Sequence, residues 1–181
     1  LQALASEGLL EHRPKRGYVV REFDLQEILS AYETRSVLEG LACYRAAMSG
    51  GTSEQRLLLK HIIEQGDHIL RDGFLREEDQ GPYQALNVQL HDTIMSMSGS
   101  YWPARIVRQI SQSLPQTSAR VMRWELDIGI MLRAHEDHRR IVDAVLQGEG
   151  RRAEDLMRDP AIAINAFYKR VRRIGRLIHF F

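Results

Sequence analysis

The chain has 181 residues, 44% hydrophobic and 27% charged, which is one ordinary domain with enough apolar matter for a core and excludes a disordered polyampholyte. Its single cysteine, Cys43, excludes a disulfide scaffold and a cysteine zinc cluster and fits a reducing cytoplasm. No apolar run nears the roughly 18 residues of a membrane span, and the first residues lack the layout of a secretory signal, so no membrane partner is expected. The formal charge of +1 hides an uneven distribution. Residues 23–150 carry 13 basic and 18 acidic groups, whereas residues 151–181 carry 8 and 3. A nucleic acid would therefore meet this chain at an end.

Residues 1–22 stand apart from the rest. Leu1, Leu4 and Leu9 suggest the end of a short helix, with Gly8 as its stop. Two short strands, Leu9 to His12 and Gly17 to Arg21, then flank Arg13-Pro14-Lys15-Arg16-Gly17. A hairpin with a basic tip directly after a helix is how a winged helix ends. Arg13, Lys15 and Arg16 could lie along a DNA backbone and supply salt-sensitive affinity without base reading. The same residues also read as an ordinary polar hairpin loop.

After residue 23 the period is helical throughout. Asp24 reads as an N-cap, followed by Leu25, Ile28, Leu29, Tyr32, Leu38, Leu41 and Ala42, with Gly50-Gly51 as the stop. Thr52-Ser53-Glu54 opens a second helix through Leu57, Leu58, His61, Ile62, Glu64 and Ile69, closing near Gly73. A third runs from about Tyr83 to Met97, and a fourth from Trp102 to a break at Pro115. The fifth spans roughly Arg120 to Gln147, with a kink near Gly129, and the last runs from Arg151 toward Ile174, interrupted by Pro160. No stretch alternates with period two. The expected fold class is all-α: a bundle over residues 23–181, preceded by the hairpin of residues 1–22.

Arg35 interrupts the apolar seam of the first long helix, and a buried guanidinium without a partner is costly. An internal salt bridge to Glu39 one turn on is one way to meet that cost. Cys43 lies in "GLACYRAA" among small apolar residues and reads as inert. Tyr32, Tyr101, Trp102 and Trp124 read as core aromatics. The run Lys169, Arg170, Arg172, Arg173 and Arg176 reads as a solvated final helix.

Four segments in order resemble one family. "LQALASEGLLEHRPKRGYVV" is similar to the last part of the winged helix-turn-helix of GntR-type bacterial transcription regulators. "DLQEILSAYETRSVLEGLACYRAA" resembles the first helix of the effector-binding (FCD) domain in their FadR-like branch. "LNVQLHDTIMSMSGS" and "HEDHRRIVDAVLQGEGRRAEDLM" resemble two later signatures of that domain. The resemblance covers essentially the whole chain. It implies that Leu1 falls in the middle of a recognition helix, so that only its tail and the wing precede an antiparallel effector-binding and dimerisation bundle with a central cavity.

In many members, the resemblance implies, one Asp and three His hold a divalent metal such as zinc or nickel in that cavity. The Asp-x-x-x-His pair falls on Asn87 and His91, a neutral amide replacing the carboxylate. The next His falls on His138, and the last on Pro160, which has no ligating side chain. Asp159 or His135 could substitute, or His135 could cap a surface network. His91 and His138, with Asn87, are thus the tentative metal set, and a metal-free pocket is the stronger expectation. Arg35 matches the Arg of "YexRxxLE", which, the resemblance implies, often points into the cavity and holds the effector carboxylate, a role that a bridge to Glu39 does not exclude.

The expected function is a cytoplasmic, homodimeric, ligand-responsive regulator of operator DNA. Arg35, Asn87, His91 and His138 would contact a small organic acid, and no certain cofactor is expected. A metal-dependent bundle enzyme and a pure dimerisation module are the alternatives. The first lacks a paired carboxylate set, a phosphate-binding glycine loop and a nucleophile with its base. Neither needs a basic hairpin ahead of the bundle.

Overall fold

The structure is a computed structural model that describes residues 1, 2, 5, 10–20, 25–113 and 128–159. The expectations at Leu4, Gly8, Leu9, Arg21, Asp24, Pro115, Trp124, Pro160 and the basic run 169–176 lie outside the described residues, as do residues 120–127 of the fifth helix. Strand β1 (Leu10–Arg13) pairs antiparallel with β2 (Gly17–Val20), Arg13 opposite Gly17. The Arg16 N–H donates to the Arg13 carbonyl at 3.0 Å, closing the turn. Lys15, at φ 67°, is the one described non-glycine residue in the left-handed region.

Among the described residues six helices follow: α1 (Leu25–Ser49), α2 (Ser53–Leu70), α3 (Glu77–Met97), α4 (Tyr101–Ser113), α5 (Ile128–Gln147) and α6 (Gly150–Arg158). Gly50 and Gly51, both at positive φ, end α1. Thr52 and Gln55 then start α2 with a reciprocal capping box, 3.2 Å from the Gln55 N–H to Thr52 Oγ1 and 2.9 Å from the Thr52 N–H to Gln55 Oε1. Helix α3 begins six residues before the expected Tyr83. Its first turn carries Glu77, Glu78 and Asp79, whose charge complements the positive helix end, and Pro82 sits inside at the cost of one intrahelical bond. Among the described residues, no helix is long and apolar enough to cross a membrane.

Glu39 meets His91 and Ser49 meets Met97, while Tyr83 meets His135 and His91 meets His138, so α1, α3 and α5 share one direction. Their C-terminal ends meet: Ser49 Oγ donates to the Met97 carbonyl at 2.9 Å, and Arg56 donates to the carbonyls of Gly50 and Leu146. Helix α6 lies close along α1 because Gly40 and Gly150 leave room. A Cβ on Gly150 would stand 2.8 Å from the Tyr44 ring, and one on Gly40 3.0 Å from Arg158 Cγ. The main core joins Cys43, Ala46, Leu59, Ile62, Leu90, Ile94, Ile141 and Val145. A smaller cluster of Leu70, Tyr83 and Met131 lies nearer the other end of the bundle.

Three expected packing assignments are corrected. In α2 the buried residues are Leu59, Ile62, Ile63, Gly66 and Leu70, while Leu57 and His61 are exposed. The run Leu57, Leu58, Leu59 fits two helical phases, and packing selects the one that turns Gly66 inward. Leu41 is exposed rather than part of the α1 seam. Tyr101 and Trp102 are exposed as well, stacked edge to face at 5.4 Å with the Arg105 guanidinium over the indole.

Candidate functional site

Between the two apolar clusters α1, α3 and α5 turn polar groups inward. On α1, Arg35 and Glu39 are both buried and joined by a 2.5 Å hydrogen bond from Arg35 Nη2 to Glu39 Oε1. Their i, i+4 spacing puts both on the inner face. Of the Arg35 donors, Nε is buried without a hydrogen-bond partner. On α3, His91 Nδ1 lies 3.4 Å from Glu39 Oε1, near enough for charge attraction, but it forms no hydrogen bond. On α5, the half-buried His138 sets its ring edge to face against His91, with centroids 5.5 Å apart. Asn87 is buried one turn before His91.

The charges follow from this packing. Burial alone would raise the Glu39 carboxyl, but the attraction of His91 and Arg35 outweighs it and holds the group down to about 2. Burial pushes His138 the other way from a charged imidazole, and with repulsion from His91 and His135 its pKa falls to about 3. The site thus pairs a fixed cation with a fixed carboxylate beside a neutral imidazole. Burial likewise pushes the Cys43 thiol up, consistent with an inert cysteine.

His138 gives a pH signature. Its folded pKa lies below the 6.5 of the free side chain, so the unfolded chain takes up a proton that the folded chain does not. Stability is therefore expected to fall as pH drops below 6.5 toward about 3. Urea midpoints between pH 7.5 and 4.5 would measure the slope, and His138→Leu should flatten it. An unchanged slope in that variant would place the titrating group elsewhere.

A small cavity opens among Tyr83, Asn87, Leu90, His135, His138 and Ile63, with a volume of about 10 Å³. That is room for a single water at most, so the polar seam is closed. His135 guards its edge. Its Nε2 lies 3.0 Å from Asp67 Oδ1, Arg139 donates to the same oxygen, and the ring rests on Tyr83 at 5.9 Å. Arg139 and His135 hold the Asp67 carboxyl below its usual range despite the opposing effect of burial. A larger open groove of about 680 Å³ runs outside α2 and α3, lined by Leu58, Ala85, Val88 and Asp92 among others. It offers an acid no cation, so it does not compete with the inner seam.

The described residues form a bundle of six helices with a closed polar seam, reached by a guanidinium from α1. A protein-family model described as the FCD domain matches residues 30–160. The chain belongs to the FCD domain family. No functionally curated protein matches it in sequence. Three proteins are among the solved structures that share the fold of this FCD domain. One is Lar, reported to control expression of the Listeria monocytogenes agr system and mediate virulence. It is 15% identical, covers 93% of this chain and 76% of its own, and has a TM-score of 0.66. A Streptococcus agalactiae GntR is 19% identical over 91% and 78%, with a TM-score of 0.59. A GntR-family transcriptional regulator from Pseudomonas syringae pv. tomato is 17% identical over 97% and 70%, with a TM-score of 0.58.

In this FCD domain the residues suggested by sequence fall in three places. Arg35 and His91 meet at Glu39, His138 packs on His91, and Asn87 lines the small cavity with His138. His135 instead binds Asp67, the surface network allowed for it. Arg13, Lys15 and Arg16 sit at the hairpin, where Arg13 is paired with Glu11. The described donors do not fit a divalent metal. No three His, Cys, Asp or Glu side chains converge among the described residues, and His91 Nδ1 faces a carboxylate already bound to Arg35. Sequence reasoning missed Tyr83 and Asp67. The signal for Tyr83 was available, since it precedes Asn87 by one turn and His91 by two on the same face of α3.

Proposed function

We propose that this FCD domain is the sensory part of a cytoplasmic, homodimeric transcription regulator. It binds a small organic acid through Arg35, Asn87, His91 and His138, without a metal. Operator DNA is contacted through the intact protein, with Arg13, Lys15 and Arg16 along the phosphate backbone. What supports this reading is the buried Arg35, a planar fork of donors suited to a carboxylate, with Nε unpartnered beside inward imidazoles. Glu39 holds the fork while no acid is bound. An incoming carboxylate takes its place, and the seam changes from closed to open. A ligand that prefers the open seam shifts the population of dimer geometries and so the spacing of the two DNA-reading heads.

The test removes both buried charges together, because removing one would strand the other. Arg35→Gln with Glu39→Gln is expected to keep helical content and subunit count. It should lose the thermal stabilisation that the unaltered protein gains from at least one acid in a panel of two- to six-carbon carboxylates. A native mass spectrum of the purified protein reports dimer and co-purified ligand at once. Equal stabilisation of both proteins by the same acid would sink the Arg35 assignment.

A further inference from the structure

Six of the ten large hydrophobic side chains that are exposed among the described residues lie on two packed helices, Val37, Leu41 and Met48 on α1 and Tyr101, Trp102 and Ile106 on α4. The start of α4 lies beside α1, one turn past Leu41, where Arg45 Nη1 donates to Ser100 Oγ at 3.2 Å. Helix α4 spans 13 residues, and none of them is buried. Val37 follows Arg35 by two residues and Leu41 follows Glu39 by two, so both point away from the polar seam. The six side chains are 37–65% exposed and offer roughly 700 Å² together, close to the about 800 Å² that each partner buries in a standard interface. Exposed apolar residues scattered singly are ordinary, but a patch of this size on neighbouring helices marks a contact surface.

The charges along α1 point to the occupant of this surface. Glu33, Val37, Leu41 and Arg45 are all exposed and form one ridge at four-residue spacing, acidic at one end and basic at the other. Two such ridges align when their helices cross at about 50°, and around a two-fold axis every contact is made twice, i to j and j to i. With that axis midway between Val37 and Leu41, Val37 lies opposite Leu41 of the second copy, and Glu33 lies opposite its Arg45. One operation thus matches the apolar pair and the charged pair together, a self-complementarity that an unrelated partner does not require. Because α4 starts beside Arg45, the same axis carries the Tyr101–Trp102 pair to the Glu33 end of the other α1. We propose that the outer face of α1 and α4 is where two copies of this chain meet, in the register that pairs Glu33 with Arg45. The proposal rests on the homodimer reading given above and assigns that dimer its surface. It also gives α1 two roles, with Arg35 and Glu39 on its inner side and the contact between copies on its outer side. A ligand that opens the seam therefore moves the helix on which the two copies meet.

Sedimentation equilibrium of the parent and four variants tests this. Val37→Ser with Leu41→Ser changes only exposed side chains, so helical content should hold while the dimer Kd rises at least tenfold. Glu33→Arg and Arg45→Glu should each raise the Kd about tenfold, since symmetry counts the reversed pair twice. The two reversals in one chain should bring the Kd back to that of the parent. That recovery separates pairing from a local role of Arg45, because the double variant also lacks the bond to Ser100. If the parent dimerises and the serine variant dimerises equally, the copies meet elsewhere, and this assignment is overturned while the homodimer reading stands. If the serine variant weakens the dimer but the double reversal restores nothing, the Glu33–Arg45 register is overturned. A parent that stays monomeric leaves this face to a different protein and overturns both the inference and the homodimer reading.

Discussion

Replacing Glu39 with alanine is expected to destabilise the domain by about 3–5 kcal/mol, because it strands the Arg35 guanidinium in the core. Both partners are buried, with side chains 8% and 10% exposed, so water does not take over the lost contact. The cost is the desolvation of an unpaired cation rather than the worth of the pair. Replacing Arg35 by methionine and Glu39 by leucine together should therefore recover most of the loss. Urea unfolding of the three proteins measures this. If the single variant is as stable as the parent, Arg35 has found water or another partner. The pair also has a pH window. The Glu39 carboxyl is held at about 2 in the folded chain, against 4.5 when free. Its contribution is complete above pH 4.5 and is lost as pH falls toward 2, below the range in which His138 acts first.

Gly66→Ala is expected to cost about 1–3 kcal/mol or slightly more, through overpacking. A Cβ at Gly66 would stand 2.2 Å from His135 Cε1 and 2.8 Å from its Nδ1. The ring cannot retreat freely, since it rests on Tyr83 and points Nε2 at Asp67. Either α2 moves away from α5 or His135 leaves the cavity edge and gives up its bond to Asp67. Thermal unfolding gives the cost. The imidazole proton signals of His135 would show which movement occurs, a displaced ring losing its sensitivity to Asp67→Asn. A variant as stable as the parent, with His135 unmoved, would contradict this packing.

The sequence alone determined the elements and much of the seam. Apolar spacing, Gly50-Gly51 and the Thr52 cap mark helix bounds that the structure follows, because caps, stops and periodicity act within a few residues. The basic hairpin is legible for the same reason: the turn and its strands are neighbours in the chain. The pair Arg35–Glu39 is legible as an i, i+4 contact, and the inward direction of Asn87 and His91 follows from one helical face. Only the tertiary structure decided the rest, and each case depends on which helices lie side by side. Leu57, Leu58 and Leu59 fit more than one phase until α5 claims Gly66. Tyr101 and Trp102 look like core residues until α4 turns them outward. His135 is three residues from His138, yet α2 draws it to Asp67 while His138 meets His91. Tyr83 carries its spacing openly, but the lack of a partner for its hydroxyl exists only once α3 and α5 have packed around it. Local rules fix what a segment becomes; what a buried polar atom lacks is fixed by distant neighbours, which is why the polar seam needed the fold.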